Sequence, residues 1–200
     1  MENIANQIES RIVNWGKGKI FFSSDFADLG TPDAVRQKLN RMCKSNDIIR
    51  LAGGIFYSPK IDTKWGLGMI HPSLEEVAQS IAKHDKIRIS PTGIYALNAL
   101  GLSTQVPANV VYLTDGAPRH ISIGKGRGIV FVHTSEVKKL ALKSPLMELI
   151  VSAMREIGED NITEAQLEII KKHLANVSKS DFDNDIKLVP DWVRKTLLSL

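Results

Sequence analysis

The chain has 200 residues, 43% of them hydrophobic and 24% charged, a balance that excludes a disordered or fibrous protein and fits one or two folded domains. Its net charge of +4 is too small to single out a polyanion binder by itself. Residues 1–140 nevertheless hold 18 Lys/Arg against 12 Asp/Glu, while residues 141–200 hold 8 against 10, so any polyanion-facing surface is expected in the first two thirds.

Apolar runs such as Ile129–His133 and Leu146–Met154 fall far short of the roughly 20 residues of a membrane span. The N-terminal segment lacks the basic and apolar regions of an export signal, and the lone Cys43 can form no internal disulfide. A cytoplasmic location is the expectation.

In chain order, Ile4, Ile8 and Ile12 recur at helical spacing with Trp15 on the same side, and Gly16 closes that first helix. After Lys17-Gly-Lys19, the run Ile20-Phe21-Phe22 reads as a strand, and Ser23 or Ser24 can cap a brief helix from Asp25 to Leu29 that ends at Gly30. Thr31-Pro32-Asp33 then places a capping hydroxyl, a proline at the first helical position and an acid in the first turn, which predicts a helix from Pro32 to about Lys44. Val35, Leu39 and Met42 form its apolar stripe. Asp47–Leu51 and Ile55–Tyr57, separated by Ala52-Gly53-Gly54, read as a hairpin.

Helix, strand, helix, helix, hairpin within about 60 residues is the plan of a winged helix-turn-helix, with the second helix of the turn motif lying in the DNA major groove and the hairpin as its wing. Residues 58–72 show no period and read as a connection, so the expected domains are 1–68, a winged helix-turn-helix, and 69–200.

In the second part, Ser73-Leu-Glu-Glu76 is a capping box opening a helix to about Lys83. Ile87–Ile89 reads as a short strand, and Ser90-Pro91 as the start of a helix ending near Gly101. Val110–Leu113, His120–Ile123 and Ile129–Val132, punctuated by glycine turns, predict three antiparallel strands. Helix starts follow at Ser135, Ser144-Pro145, Thr163 (a capping box with Gln166) and Pro190. The fold class expected is α+β: an N-terminal winged helix-turn-helix followed by an α/β C-terminal domain with a small antiparallel sheet and terminal helices.

Within that second part, Pro91-Thr92-Gly93, Ala96–Pro107, Val111–Gly116 and Arg119-x-Ile121-x-Ile123-Gly124 form a run that resembles the antitoxin family of the type IV abortive-infection (AbiE) toxin-antitoxin systems and its DUF6088 relatives. The similarity reaches the first part, where Thr31–Gln37 is similar to that family's Thr-Pro-x-x-Val-Arg-Gln recognition helix. The resemblance implies a repressor that binds inverted repeats of double-stranded DNA in its own promoter and counteracts a toxin of nucleotidyltransferase fold, in phage defence. It implies no catalysis and no cofactor.

The residues assigned to DNA contact are Thr31, Arg36, Gln37, Asn40, Arg41 and Lys44 on or before the recognition helix, with Arg50 beside the wing and Lys17 and Lys19 before the first strand. Amides can bond adenine edges, arginine can bond guanine, and lysine or arginine can neutralise phosphate. Lys60 also flanks the wing. Arg119, Lys125 and Arg127, at hairpin turns, are assigned to the surface of the antitoxin-like domain.

Catalytic readings are weak. His71, His84, His120, His133 and His173 show no metal-binding spacing, and Gly124–Gly128 lacks a Walker ending. Cys43 reads as a small core residue. Asp181, Asp183 and Asp185 lack the glycine and closing glutamate of a calcium loop and read as a solvated linker. Alternatives to the antitoxin reading are a stand-alone winged-helix regulator and, with less support, a nucleic-acid-processing enzyme.

Overall fold

The structure, a computed structural model, describes residues 3–62, 66, 68–124 and 126–200. It is α+β, with eight α-helices and nine short strands among the described residues. The chain divides into two compact units, Met1–Ile81 with Ser122–Lys125, and Ala82–Ile121 with Gly126–Leu200. Among the described residues no helix is long and apolar enough to cross a membrane.

In the first unit, α1 (Ile4–Trp15) buries Ile8 and Ile12 and stops at Gly16, whose φ of 83° suits a residue without a side chain. Strand β1 (Ile20–Phe22) leads into a single 3-10 turn, Ser23–Phe26, where a longer helix to Leu29 was expected. Phe26 plugs into the core and draws the segment inward after one turn. Helix α2 spans Pro32–Lys44 with Thr31 as its cap, as the Thr-Pro-Asp start predicts.

Strands β2 (Ile49–Ala52) and β3 (Ile55–Tyr57) pair antiparallel, and β1 adds to the other side of β3, giving the order β1-β3-β2. Under this sheet lie Ile8, Ile12, Phe21, Phe26, Val35, Leu39, Met42, Ile48 and Phe56. Each such side chain, fully buried, contributes roughly 1.5–3 kcal/mol. Phe21 packs edge-on to Phe26 at 5.9 Å and stacks on Phe56 at 5.7 Å, tying sheet to helices. Arg11 of α1 holds Asp28 through two parallel bonds of 2.7 Å each.

The segment read as an irregular connection carries a small antiparallel ribbon, β4 (Lys60–Asp62) with β5 (Gly68–Ile70). Three-residue strands offer too few alternations to register as a period. Helix α3 (Leu74–Asp85) begins with the expected capping box: Ser73 N–H donates to Glu76 and Glu76 N–H to Ser73.

A four-stranded sheet of order β6-β7-β9-β8 is formed by β6 (Ile89–Pro91), β7 (Asn109–Thr114), β8 (Arg119–Gly124) and β9 (Arg127–His133), all in the second unit except Ser122–Gly124 of β8. Two expectations change here. Pro91 ends a strand instead of starting a helix, a place open to proline because β6 is an edge that needs no further donor. The three expected antiparallel strands are also rearranged: β7 pairs antiparallel with β6 but parallel with β9, from Asn109–Gly128 to Thr114–His133. Buried Val110 and Tyr112 on β7 and Ile129 and Phe131 on β9 explain it, since the parallel register sets these apolar positions side by side.

Helix α4 (Gly93–Ala99) follows β6, and α5 (Pro145–Ile157), α6 (Glu164–Leu174), α7 (Lys179–Asp185) and α8 (Asp191–Ser199) complete the unit. Their shared core includes Ala96, Met147, Ile150, Met154, Ile170, Val193 and Leu197. Ser144 and Thr163 cap α5 and α6 as expected, whereas Ser135 precedes only a 3-10 turn, Val137–Leu140. The stretch read as a solvated linker is α7, and Asp185 at its end is fully buried.

Candidate nucleic-acid interface

The three positions of α2 that point inward, Val35, Leu39 and Met42, fix which residues face out. Arg36, Gln37, Arg41 and Lys44 are all exposed. Thr31 uses its hydroxyl oxygen to accept the Ala34 N–H at 3.3 Å, so its role is to start the helix. Arg36 rests against Asp33 one turn back, at 2.9 Å, with the two side chains 69% and 77% exposed. Such a pair contributes little in water and is easily exchanged for a stronger anion. Lys38, on the same helix, is instead ion-paired with Glu9 of α1 and 13% exposed, which removes it from the outward set.

Asn40 and Arg50 are brought together. The Arg50 guanidinium donates to Asn40 Oδ1 and lies 5.2 Å from the centroid of the Phe56 ring, so strand β2 presents a cation held on two sides beside the helix. Between them a cavity of about 500 Å³ is lined by Pro32, Val35, Arg36, Arg50, Gly54 and Phe56, among others. Nothing in the sequence signals the Asn40–Arg50–Phe56 arrangement, which depends on the β2–β3 register setting Arg50 opposite Phe56.

Lys17 and Lys19 are exposed but lie elsewhere. They flank the start of β1, whereas the Arg36–Arg50 cavity is bordered by Ser23 and Gly54 at the strand's other end, about 10 Å away at the usual rise of a strand. They line a separate cavity with Lys60 and His71.

In the second unit Arg119 is ion-paired with Asp85 and lies 5.3 Å from the Phe131 ring centroid. Burial opposes ionisation of Asp85, but the bonds from His84 and Arg119 hold its carboxyl below the usual range. Arg119 thus anchors β8. Arg127 is exposed at the start of β9, and Lys125 lies outside the described residues. Arg88 ties down Asp115 through its backbone N–H and its Nε, both at 2.8 Å.

Two acids are conspicuous: Glu148, which the sequence did not single out, and Asp185, read as part of a solvated linker and buried instead. Glu148, in the first turn of α5, has a carboxyl pushed up to about 8 by burial and by the nearby charge of Asp185. Asp185 accepts the N–H groups of Lys143 and Ser144, at 3.0 and 2.9 Å. The Cys43 thiol is pushed up by burial and packs against the first core. Among the described residues no group of three or more His, Cys, Asp or Glu is placed to hold a metal ion.

Residues 7–182 match the model of a family of unknown function (DUF6088), and the chain belongs to that family. No curated protein matches the chain.

Proposed function

We propose that the first unit is a winged helix-turn-helix that binds double-stranded DNA, with α2 in the major groove and the β2–β3 hairpin as wing. The observation that carries this reading is the outward face of α2, where Arg36, Gln37, Arg41 and Lys44 stand exposed beside a hairpin that holds Arg50 on Asn40 and Phe56. The sheet order β1-β3-β2 with α1 and α2 on one core supports it.

In this reading Arg36 and Gln37, near the helix start, read base edges, and Arg41 and Lys44 meet phosphates. Asn40, whose oxygen is occupied, positions Arg50. The chain binds inverted repeats in its own promoter, represses that operon in the cytoplasm, and acts without catalysis as the antitoxin of a type IV system against a nucleotidyltransferase-like toxin. The antitoxin part rests on the resemblance of the Pro91–Gly124 run.

A gel shift on the chain's own promoter across a salt series tests the first part. Arg36→Ala and Gln37→Ala should each weaken specific binding by about 1–3 kcal/mol, and unchanged affinity in both refutes the assignment of α2. Co-expression with the neighbouring toxin gene tests the second part. Rescue of growth is expected, and failure of rescue leaves a regulator without a toxin.

A further inference from the structure

Between the start of α2 and the β2–β3 hairpin lies the cavity of about 500 Å³ that Arg36 and Arg50 border, a volume in the range of small-molecule sites. Its lining is mainly apolar. Val35 and Phe56 line it from the buried side, and the exposed Ala27 and Pro32 supply apolar surface that is open to an occupant. Ser23 and Ser24 add two hydroxyl groups.

The walls are held by bonds that exist without any ligand. Ser23 N–H donates to the Gly54 carbonyl at 2.9 Å, and a Cβ at Gly54 would stand 3.2 Å from Ser23 Oγ, so the hairpin turn sits directly against the segment that follows β1. Arg11 pins that segment from α1, donating to the Asp25 carbonyl at 2.8 Å and to both Asp28 oxygens. Arg50 is fixed by Asn40 and by the Phe56 ring, neither of which carries a negative charge, and among the described residues no carboxylate is ion-paired with it. Arg36 has only the exposed Asp33, a partner readily exchanged.

We propose that this cavity binds a small carboxylate with an apolar body, the carboxylate on Arg50 and Arg36 and the body over Ala27 and Pro32, and that the occupant competes with DNA for α2. An arginine fixed without a counter-charge at the edge of an apolar cavity selects for both halves of such a molecule. A neutral apolar compound leaves Arg50 without an anion to take its charge-assisted bonds, and a bare small anion leaves the apolar lining wet. The competition rests on the DNA reading of α2, whereas binding of the carboxylate does not.

The test titrates the full chain calorimetrically, without DNA, with cinnamate, cinnamyl alcohol and acetate. Saturable binding of cinnamate is expected, at least tenfold tighter than the alcohol or acetate. Arg50→Met should lose tenfold or more. Ala27→Trp fills the cavity and keeps both arginines, on a backbone of ordinary helical angles that admits any side chain, and should abolish binding. Lys195→Ala, which removes an exposed cation of α8, should bind as the wild type does. Absence of saturable binding, equal binding of the alcohol, or unchanged affinity in either variant at the wild-type melting temperature overturns the site. In a gel shift, saturating cinnamate should release the promoter from the wild-type chain, and promoter binding that persists overturns the competition. A chain that binds cinnamate but no promoter refutes the DNA reading, and the competition with it, while the site stands.

Discussion

Asp185, fully buried at the end of α7, accepts the N–H of Ser144, 41 residues earlier in the chain, at 2.9 Å. Its other oxygen takes the Lys143 N–H, so one carboxylate satisfies two donors at the entry to α5. Asp185→Ala orphans both and should lower stability by about 2–4 kcal/mol in urea unfolding. Asp185→Asn keeps one acceptor oxygen and should lose less. Equal losses would show that the bond kept by the amide oxygen carries no weight.

Glu148 sets a pH dependence whose sign follows from its raised value. Its carboxyl ordinarily titrates near 4.5 and in the fold near 8, so between those limits the folded chain holds a proton that the unfolded chain releases. Stability from this group is fully present below about pH 4.5, declines as pH rises, and is gone above about pH 8. Glu148→Gln abolishes that decline. The melting temperature of the variant relative to wild type should climb from pH 5 to pH 9, and a constant difference would refute the assignment.

At Gly93 the start of α4 passes directly under α5. A Cβ there would stand 2.0 Å from Glu156 Oε2 and 2.4 Å from Glu156 Cβ. Gly93→Ala should therefore cost about 1–3 kcal/mol. Glu156→Ala should not rescue it, because the obstructing Cβ remains; Glu156→Gly should. Thermal melts of the single and double variants distinguish these outcomes.

The lysines of α2 divide by partner. Lys44→Ala should reduce the salt slope of promoter binding by about one, as expected for a lost phosphate contact. Lys38→Ala, which removes the ion pair to Glu9, should leave the slope unchanged and only slightly lower stability. A drop in slope for Lys38→Ala would place that residue at the DNA.

The outward face of α2 was readable because its determinants are local: a cap, a proline, and apolar residues spaced to fix one side inward. The same holds for α1, the β2–β3 hairpin and the caps at Ser144 and Thr163. What escaped depends on partners distant in sequence. Arg50 takes its place from Phe56 and Asn40, the 17–19 loop is bonded through Gly18 and Lys19 to Ser58, and Asp185 is buried because two N–H groups of another segment need it. Pro91 misled because Ser-Pro favours a helix start, and only the edge position of β6 admits it to a strand.

The parallel β7–β9 pair has a consequence for how the second unit forms. In synthesis β7 is followed by β8 after only Asp115–Pro118, a link short enough for a local hairpin, yet in the finished sheet β9 separates them. Until residues 127–133 emerge, the nascent β7 and β8 have a ready partner in each other, and reaching the native order means surrendering that neighbour to a latecomer. Insertion of β9 is thus the expected slow step of refolding, set by strand order rather than by the stability of the core it completes.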